Sequence, residues 1–433
     1  MLLQSKNKIS QTFIANKKHI DSSLFLFFIN VFNFIFPLLL SPIIISRFGV
    51  EGFGVVTMFQ SIMLFTSSIT DYGFTINATR EATIRQKEKG FINQLFFAVT
   101  YSKTFLLAIA LLVVTAIYLL IPVAKENTGL YFSSIAILIG RAYNPLWILR
   151  AIHKIKFIFY FYIFFKLLSI LFVYFFLSKN SGLYLVNLVI GLSDFLTCIL
   201  ATITLYFNQK WHYFSPALNL IKNEIYSGIA VFTQIISINA NAYLNPMILG
   251  FFVDPYSLGI YCIIEKIILV IKFCASFILQ SVFPKACELS IQNKISYKNF
   301  LKKFMLFLII SMTIAGILLT LKPEFIVSYF IKGNIIACSK YLVFNAWIPL
   351  VVALNMTPYL NFMVFNKQKE TTFVFIISVV INVILNVILS KSYGIYGTAV
   401  SIYISEAIIT ISLWMLWKYK YSKLNFFDDE KEY

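Results

Sequence analysis

Eight ionisable residues sit in stretches that are otherwise apolar, and they set the chemistry open to this chain. Lys103, Arg141, Lys166, Lys266 and Lys272 are basic; Asp194, Glu265 and Glu406 are acidic. A charge at hydrocarbon depth costs at least about 2.5–3.5 kcal/mol, so each must face water, a partner or a ligand. Arg141 and Lys166 have no acid within their own apolar runs. A basic group in a wet cavity suits an anionic ligand, and the guanidinium fork suits phosphate in particular. Glu265 and Lys272 lie seven residues apart on one helix face. They read as a mutual ion pair or as two groups of a polar cavity. Asp194 and Glu406 could titrate, bind a cation, or take a Lys from another helix.

Amides form a second set. Asn30, Asn33, Pro37, Ser41 and Pro42 recur at intervals of 3, 4, 4 and 1, and Gln234, Ser237, Asn241, Asn245 and Pro246 repeat those intervals 204 residues later. Spacings of 3 and 4 keep side chains on one helix face. Amides cannot face lipid without losing hydrogen bonds, so the stripe reads either as glue between helices or as the wall of an aqueous cavity, the preferred reading because it occurs in both halves. Among these residues Asn30, Asn33, Gln234, Asn241 and Asn245 are candidates to contact a polar ligand. His19, His153 and His212 are scattered, so no metal centre is expected, and no phosphate-binding Gly-rich loop occurs, so no nucleotide cofactor is expected either.

The elements that must hold these residues follow from composition. Hydrophobic residues make up 59% and charged residues 12% of the 433 positions, about half the charged share of a soluble domain. The chain is therefore expected to be all-α and polytopic, since only helices or closed barrels satisfy their backbone in lipid. Twelve apolar runs long enough to span, from 24–46 to 394–417, are read from the sequence. With residues 1–23 placed inside, inner segments hold 24 Lys and Arg against 7 in outer ones, which puts both termini in the cytoplasm. The same asymmetry accounts for the net charge of +18 and makes nucleic acid an unneeded partner.

The run Leu177–Asp194 returns as Leu389–Glu406, 212 residues later, keeping Leu-Ser-Lys, Gly-x-Tyr and the terminal Ser-acid. Pro145, Lys154 and Lys156 recur as Pro358, Lys367 and Lys369. One unit is used twice, and with six spans each the copies run in the same direction, a parallel repeat. The expected organisation is a cytoplasmic leader 1–23, an N-lobe 24–207, a cytoplasmic linker 208–224, a C-lobe 225–417 and a cytoplasmic tail 418–433, charged and disordered over Asn425–Tyr433. Residues 72–93 are expected to include a short helix on the inner membrane surface.

Several motifs carry a family likeness. They are Arg47–Gly54 (RFGVEGFG), Asp71-Tyr72-Gly73-Phe74 with Ala78–Glu81, Asp254–Tyr261 (DPYSLGIY), and Gly394–Ala399 (GIYGTA) with Glu406. Together they resemble the polysaccharide-export branch of the multidrug/oligosaccharidyl-lipid/polysaccharide transporter superfamily, most closely the O-antigen flippases of Wzx type. The resemblance implies two six-helix lobes in a V, alternating access, and transfer of an undecaprenyl-diphosphate-linked oligosaccharide from the inner to the outer leaflet of a bacterial cytoplasmic membrane. It also implies surrounding membrane lipids, a proton or sodium gradient as driving force, and contact with polysaccharide polymerase machinery. Asp71 and Gly73 would serve packing or gating.

Three function classes were weighed on the residues. A lipid-linked oligosaccharide flippase needs basic groups for the diphosphate and amides and aromatic rings for the sugar. Arg141, Lys166 and Lys272 supply the first and would form one headgroup site between the lobes, with Asp194, Glu265 and Glu406 as coupling or ion-pair groups. A cation-coupled multidrug exporter of the same fold needs acids in the cavity, yet the spans hold five basic residues against three acids. A membrane enzyme needs a catalytic loop, and the longest outer connection, about 322–340, is too short to hold one; no enzymatic activity is expected.

Overall fold

The structure is a computed structural model. It describes residues 2–86, 88, 90–177, 182–209, 211–212 and 218–420, without the side chains of 2–23, 218, 230, 238, 241 and 420. Lys179, part of the repeated Leu177–Asp194 stretch, part of the 208–224 linker and the tail from 421 lie outside the described residues.

The chain is an all-α polytopic membrane protein. Its helices are α1 (Leu2–Asp71), α2 (Phe74–Ile84), α3 (Phe91–Leu120), α4 (Pro122–Glu126), α5 (Thr128–Ala142), α6 (Leu146–Ala151), α7 (Ile155–Phe176), α8 (Tyr184–Gln209), α9 (Leu218–Leu249), α10 (Pro255–Gln292), α11 (Lys294–Leu321), α12 (Pro323–Ser328), α13 (Ile335–Asn345), α14 (Ile348–Val364) and α15 (Gln368–Lys420). Among the described residues there is no strand. Among the described residues, eight helical stretches are long and apolar enough to cross a membrane. Two of these, Leu24–Ile84 and Gln368–Tyr419, hold two expected runs each. Non-helical backbone breaks them at Gly49 (φ 75°) and Gly394 (φ 55°). The remaining two of the twelve runs lie in α9 and α10.

Local chemistry sets the ends. Asp254 caps α10 by accepting from Ser257 N at 3.0 Å, with Pro255 at the first helical position. Asn293 caps α11 by accepting from Ile295 N at 2.8 Å. The stretch 128–149, read as one span, is interrupted at Tyr143–Pro145: α5 stops at Ala142 and α6 starts at Leu146. Pro145 has no N–H to continue the ladder, and the Asn144 Oδ1 accepts from Leu146 N at 2.9 Å instead.

The helices form two compact units. The first comprises Met1–Ile43 and Phe59–Asn239, the second Ile44–Met58 and Ala240–Tyr433. These units differ from the lobes read from the sequence. Residues 44–58 of α1 pack with the second unit, and the first part of α9 packs with the first.

In the first unit α2 lays Phe74, Ala78 and Ala82, all fully buried, on a core with Leu95, Trp147 and Ile148. That is the short amphipathic helix expected within 72–93. In the second unit the 44–58 segment crosses α10 at two glycines. A Cβ on Gly54 would lie 2.6 Å from Gly259 N, and one on Gly259 would lie 2.1 Å from Val50 O. Both backbones approach too closely for any side chain, which explains why Gly54 and Gly259 stand in two of the motifs quoted above.

Candidate functional site: two ion-paired cavities

Each unit contains its own polar cavity. The first unit's cavity, about 260 Å³, is built by α1, α5, α7, α8 and α9. Asn30 and Asn33 from α1 line it, with Asp71, Arg141, Tyr162 and Asp194. Arg141 reaches it from the last turn of α5, exposed, where the helix stops. The sequence placed Arg141 in mid-helix; the Asn-Pro break puts it at a helix end instead. Asn33 is held by Tyr162, whose hydroxyl donates to its Oδ1 at 2.6 Å. Asp71 Oδ1 accepts from Thr75 Oγ1 at 2.6 Å and lies 4.0 Å from Lys103 Nζ. Beside it Gly73 adopts a left-handed conformation (φ 88°) that ends α1 and starts α2. Asp71 and Gly73 thus mark a helix junction.

Lys166 corrects an expectation. It was read as a basic group without an acid, yet its Nζ sits 2.7 Å from Asp194 Oδ1, with side chains only 5% and 11% exposed. The acid comes from α8, so a search along Lys166's own helix could not find it. The ammonium also lies 4.6 Å from the centre of the Phe36 ring, close enough for a cation–π contribution.

The second unit's cavity is smaller, about 70 Å³, and is lined by Asn245, Glu265, Lys272, Asn345, Asn382 and Glu406 among others. Lys272 Nζ meets Glu406 Oε1 at 2.9 Å, and Asn355 Nδ2 donates to Glu406 Oε2 at 3.2 Å. The expected Glu265–Lys272 pair is therefore replaced. Seven residues of helix separate Cα atoms by about 10 Å along the axis, whereas Glu406 arrives from a neighbouring helix. Glu265 instead accepts from the Tyr261 hydroxyl, one turn earlier, at 3.0 Å. Lys266 lies 5.7 Å from the Phe53 ring centre.

The amide stripes divide between the units. Asn30 and Asn33 line the first cavity and Asn245 the second. Gln234 lines neither cavity among the described residues, and the side chain of Asn241 lies outside them. The expected headgroup cluster divides too: Arg141 and Lys166 belong to the first unit, Lys272 to the second.

Several site residues escaped the sequence reading. In the second unit Asn386 Nδ2 donates to Asn245 Oδ1 at 2.9 Å, while Asn386 Oδ1 accepts from Thr398 at 2.9 Å and from Ser390 at 2.5 Å. A signal was present. Ser378, Asn382, Asn386 and Ser390 recur every four residues, and all are buried. In the first unit, Asn239 donates to Ser68 Oγ at 2.7 Å beside the cavity. Among the described residues no His, Cys, Asp and Glu cluster could hold a metal.

These features define a polytopic α-helical membrane protein with paired charges and amides inside each of two units. The chain belongs to the polysaccharide biosynthesis protein family, whose model matches residues 20–290. A "Putative O-antigen transporter" from Escherichia coli (strain K12) is 22% identical over 380 residues, which cover 87% of this chain and 91% of that protein. Among solved structures, an inward-facing multidrug resistance MATE family transporter of the MOP superfamily superposes with a TM-score of 0.74 at 12% identity, covering 90% of this chain and 95% of that one. The lipid II flippase MurJ in an inward closed conformation gives a TM-score of 0.67 at 16% identity, covering 93% of this chain and 87% of that one. This chain shares its fold with both.

Proposed function

We propose that this protein is a flippase that moves an undecaprenyl-diphosphate-linked oligosaccharide from the inner to the outer leaflet of a bacterial cytoplasmic membrane, by alternating access between lobes 24–207 and 225–417, with both termini in the cytoplasm. The observation that carries the reading is Arg141. It is a permanently charged guanidinium at a helix break, exposed to an amide-lined cavity of about 260 Å³. That combination suits a diphosphate joined to a sugar: the fork takes phosphate oxygens, and Asn30, Asn33 and Tyr162 offer hydrogen bonds and a ring face to hydroxyls. The name of the E. coli relative and the flippase title of MurJ support the same cargo class.

In this reading Lys166 and Lys272 tune the cavities through their ion pairs with Asp194 and Glu406, and Glu265 joins them as a coupling candidate toward a proton or sodium gradient. The chain carries out no covalent chemistry and uses no cofactor. Membrane lipids and the polymerase machinery are its expected neighbours.

The test uses a bacterial strain lacking its own O-antigen flippase and assembling a matching cargo. The wild-type chain restores surface polysaccharide. Arg141→Ala, present in the membrane at wild-type abundance, fails to restore it. Full restoration by Arg141→Ala sinks the proposal. Efflux of a cationic dye without polysaccharide restoration supports the multidrug exporter in its place.

A further inference from the structure

Outside both cavities lies a buried acid that the transport reading does not use. Glu224 stands near the start of α9, in the segment expected on the cytoplasmic side. It is 1% exposed, although glutamate is almost never fully buried without a partner. Its Oε2 is enclosed and has no hydrogen-bond partner. The acid that acts on it is Glu81 on α2, whose carboxyl favours a proton on Glu224. Two carboxylates cannot occupy such a site together, because like charges in a dry environment repel strongly.

Glu81 already has a cation: Arg85, one turn along α2, places Nη1 3.3 Å from Glu81 Oε1, whereas Glu224 has none. Among the described residues no Lys, Arg or His forms an ion pair with Glu224.

The surrounding contacts show what the pair fastens. Asn77 Nδ2 of α2 donates to Ser227 O of α9 at 2.8 Å. Tyr72 stacks on Phe232, with centroids 4.7 Å apart. A Cβ on Gly228 would lie 2.9 Å from Tyr72 O, and one on Gly73 would lie 2.9 Å from Val231. All of these residues belong to the first unit, so the start of α9 is packed closely on α2 within it.

We propose that Glu224 binds a proton and donates it in a hydrogen bond to the Glu81 carboxylate, and that this proton clasps the start of α9 to α2. Burial first, and then Glu81, push the Glu224 carboxyl up to about 8. The sign follows from linkage. An acid whose value is raised in the clasped state favours that state most below its ordinary value. The preference declines as pH rises through the interval and is gone above the raised value. Alkalinisation on the cytoplasmic side therefore loosens α9 from α2. The clasp needs no cargo, and it stands or falls separately from the transport reading.

The test uses the full chain in nanodiscs. Infrared difference spectra between about pH 6 and about pH 9 bracket the expected titration. The wild type is expected to show a protonated-carboxyl C=O band lost with a midpoint near 8, and Glu224→Gln is expected to remove it. The second readout is the distance between spin labels at Ile84→Cys on α2 and Tyr226→Cys on α9, two exposed positions, in a chain without its native cysteines. Wild type is expected to give one short distance at low pH and a longer or broader distribution at high pH. Glu224→Gln, which keeps a donor and cannot ionise, is expected to stay short at both. Glu81→Gln supplies an amide donor to Glu224 and is expected to lower the midpoint; it provides a second variant if Glu224→Gln fails to fold. The proposal is overturned if no carboxyl band titrates, if the band survives in Glu224→Gln, or if the label distance is the same at both pH values in the wild type.

Discussion

Asp194 and Glu406 occupy equivalent places in the internal repeat, and each holds a lysine, but the two lysines are not equivalent. In the first unit the partner is Lys166 of α7; in the second it is Lys272 of α10. The surroundings differ as well. The first pair is less exposed, with side chains at 5% and 11%, whereas Lys272 and Glu406 are 26% and 16% exposed and Glu406 also accepts from the Asn355 amide. What the repeat has kept is an acid at this sequence position, and each half has found its own cation for it. The difference teaches that the less exposed pair is bound to be structural first. Removing one of its charges leaves the other nearly buried without its partner. The more exposed pair has more freedom to break and re-form.

The largest expected effect exploits that contrast. Asp194→Ala leaves the Lys166 ammonium buried without its acid and should cost about 3–5 kcal/mol. Glu406→Ala should cost less, about 1–3 kcal/mol, because Lys272 retains access to water. Thermal unfolding of the two purified variants in one detergent checks the order. Equal losses would mean that exposure does not govern these pairs. Replacing both partners, Lys166→Met with Asp194→Leu, should recover much of the stability lost in Asp194→Ala.

A smaller effect separates charge from packing in the second unit. Gly259→Ala puts a Cβ about where Val50 O already sits, and overpacking of this kind costs about 1–3 kcal/mol. The same unfolding measurement reads it. A neutral result would show that the 44–58 segment can shift away from α10.

The smallest effect tests how firmly the first cavity's wall is set. Tyr162→Phe removes one hydrogen bond to Asn33 and should lower stability by about 1 kcal/mol. The larger consequence should appear in transport, since Asn33 then loses the group that orients it.

Much of this architecture was legible in the chain. Apolar runs and the low share of charged residues pointed to the helical, polytopic class, and the stripe at Asn30 and Asn33 pointed to residues that do line a cavity. That Asp194 and Glu406 could each take a Lys from another helix was legible; which Lys was not. Lys166 and Asp194 are on different helices, and Lys272 finds Glu406 134 residues away, so periodicity along one helix carries no trace of either contact. Glu265 and Lys272 misled for the same reason: a shared face is not a shared contact when two turns intervene. The break after Arg141 could have been weighted more heavily, because Asn144-Pro145 removes a backbone donor and supplies a cap at once. The polar repeat from Ser378 to Ser390 was as regular as the stripe on α1 and lay unread in a stretch rich in Ile and Val.

The most direct measurement reconstitutes the protein in liposomes carrying a fluorescent undecaprenyl-diphosphate-linked saccharide and follows its appearance in the opposite leaflet. The account predicts transfer by the wild type, partial transfer by Arg141→Lys, which keeps the charge but loses the guanidinium fork, and no transfer by Arg141→Ala at equal incorporation. Transfer by Arg141→Ala at the wild-type rate would contradict it.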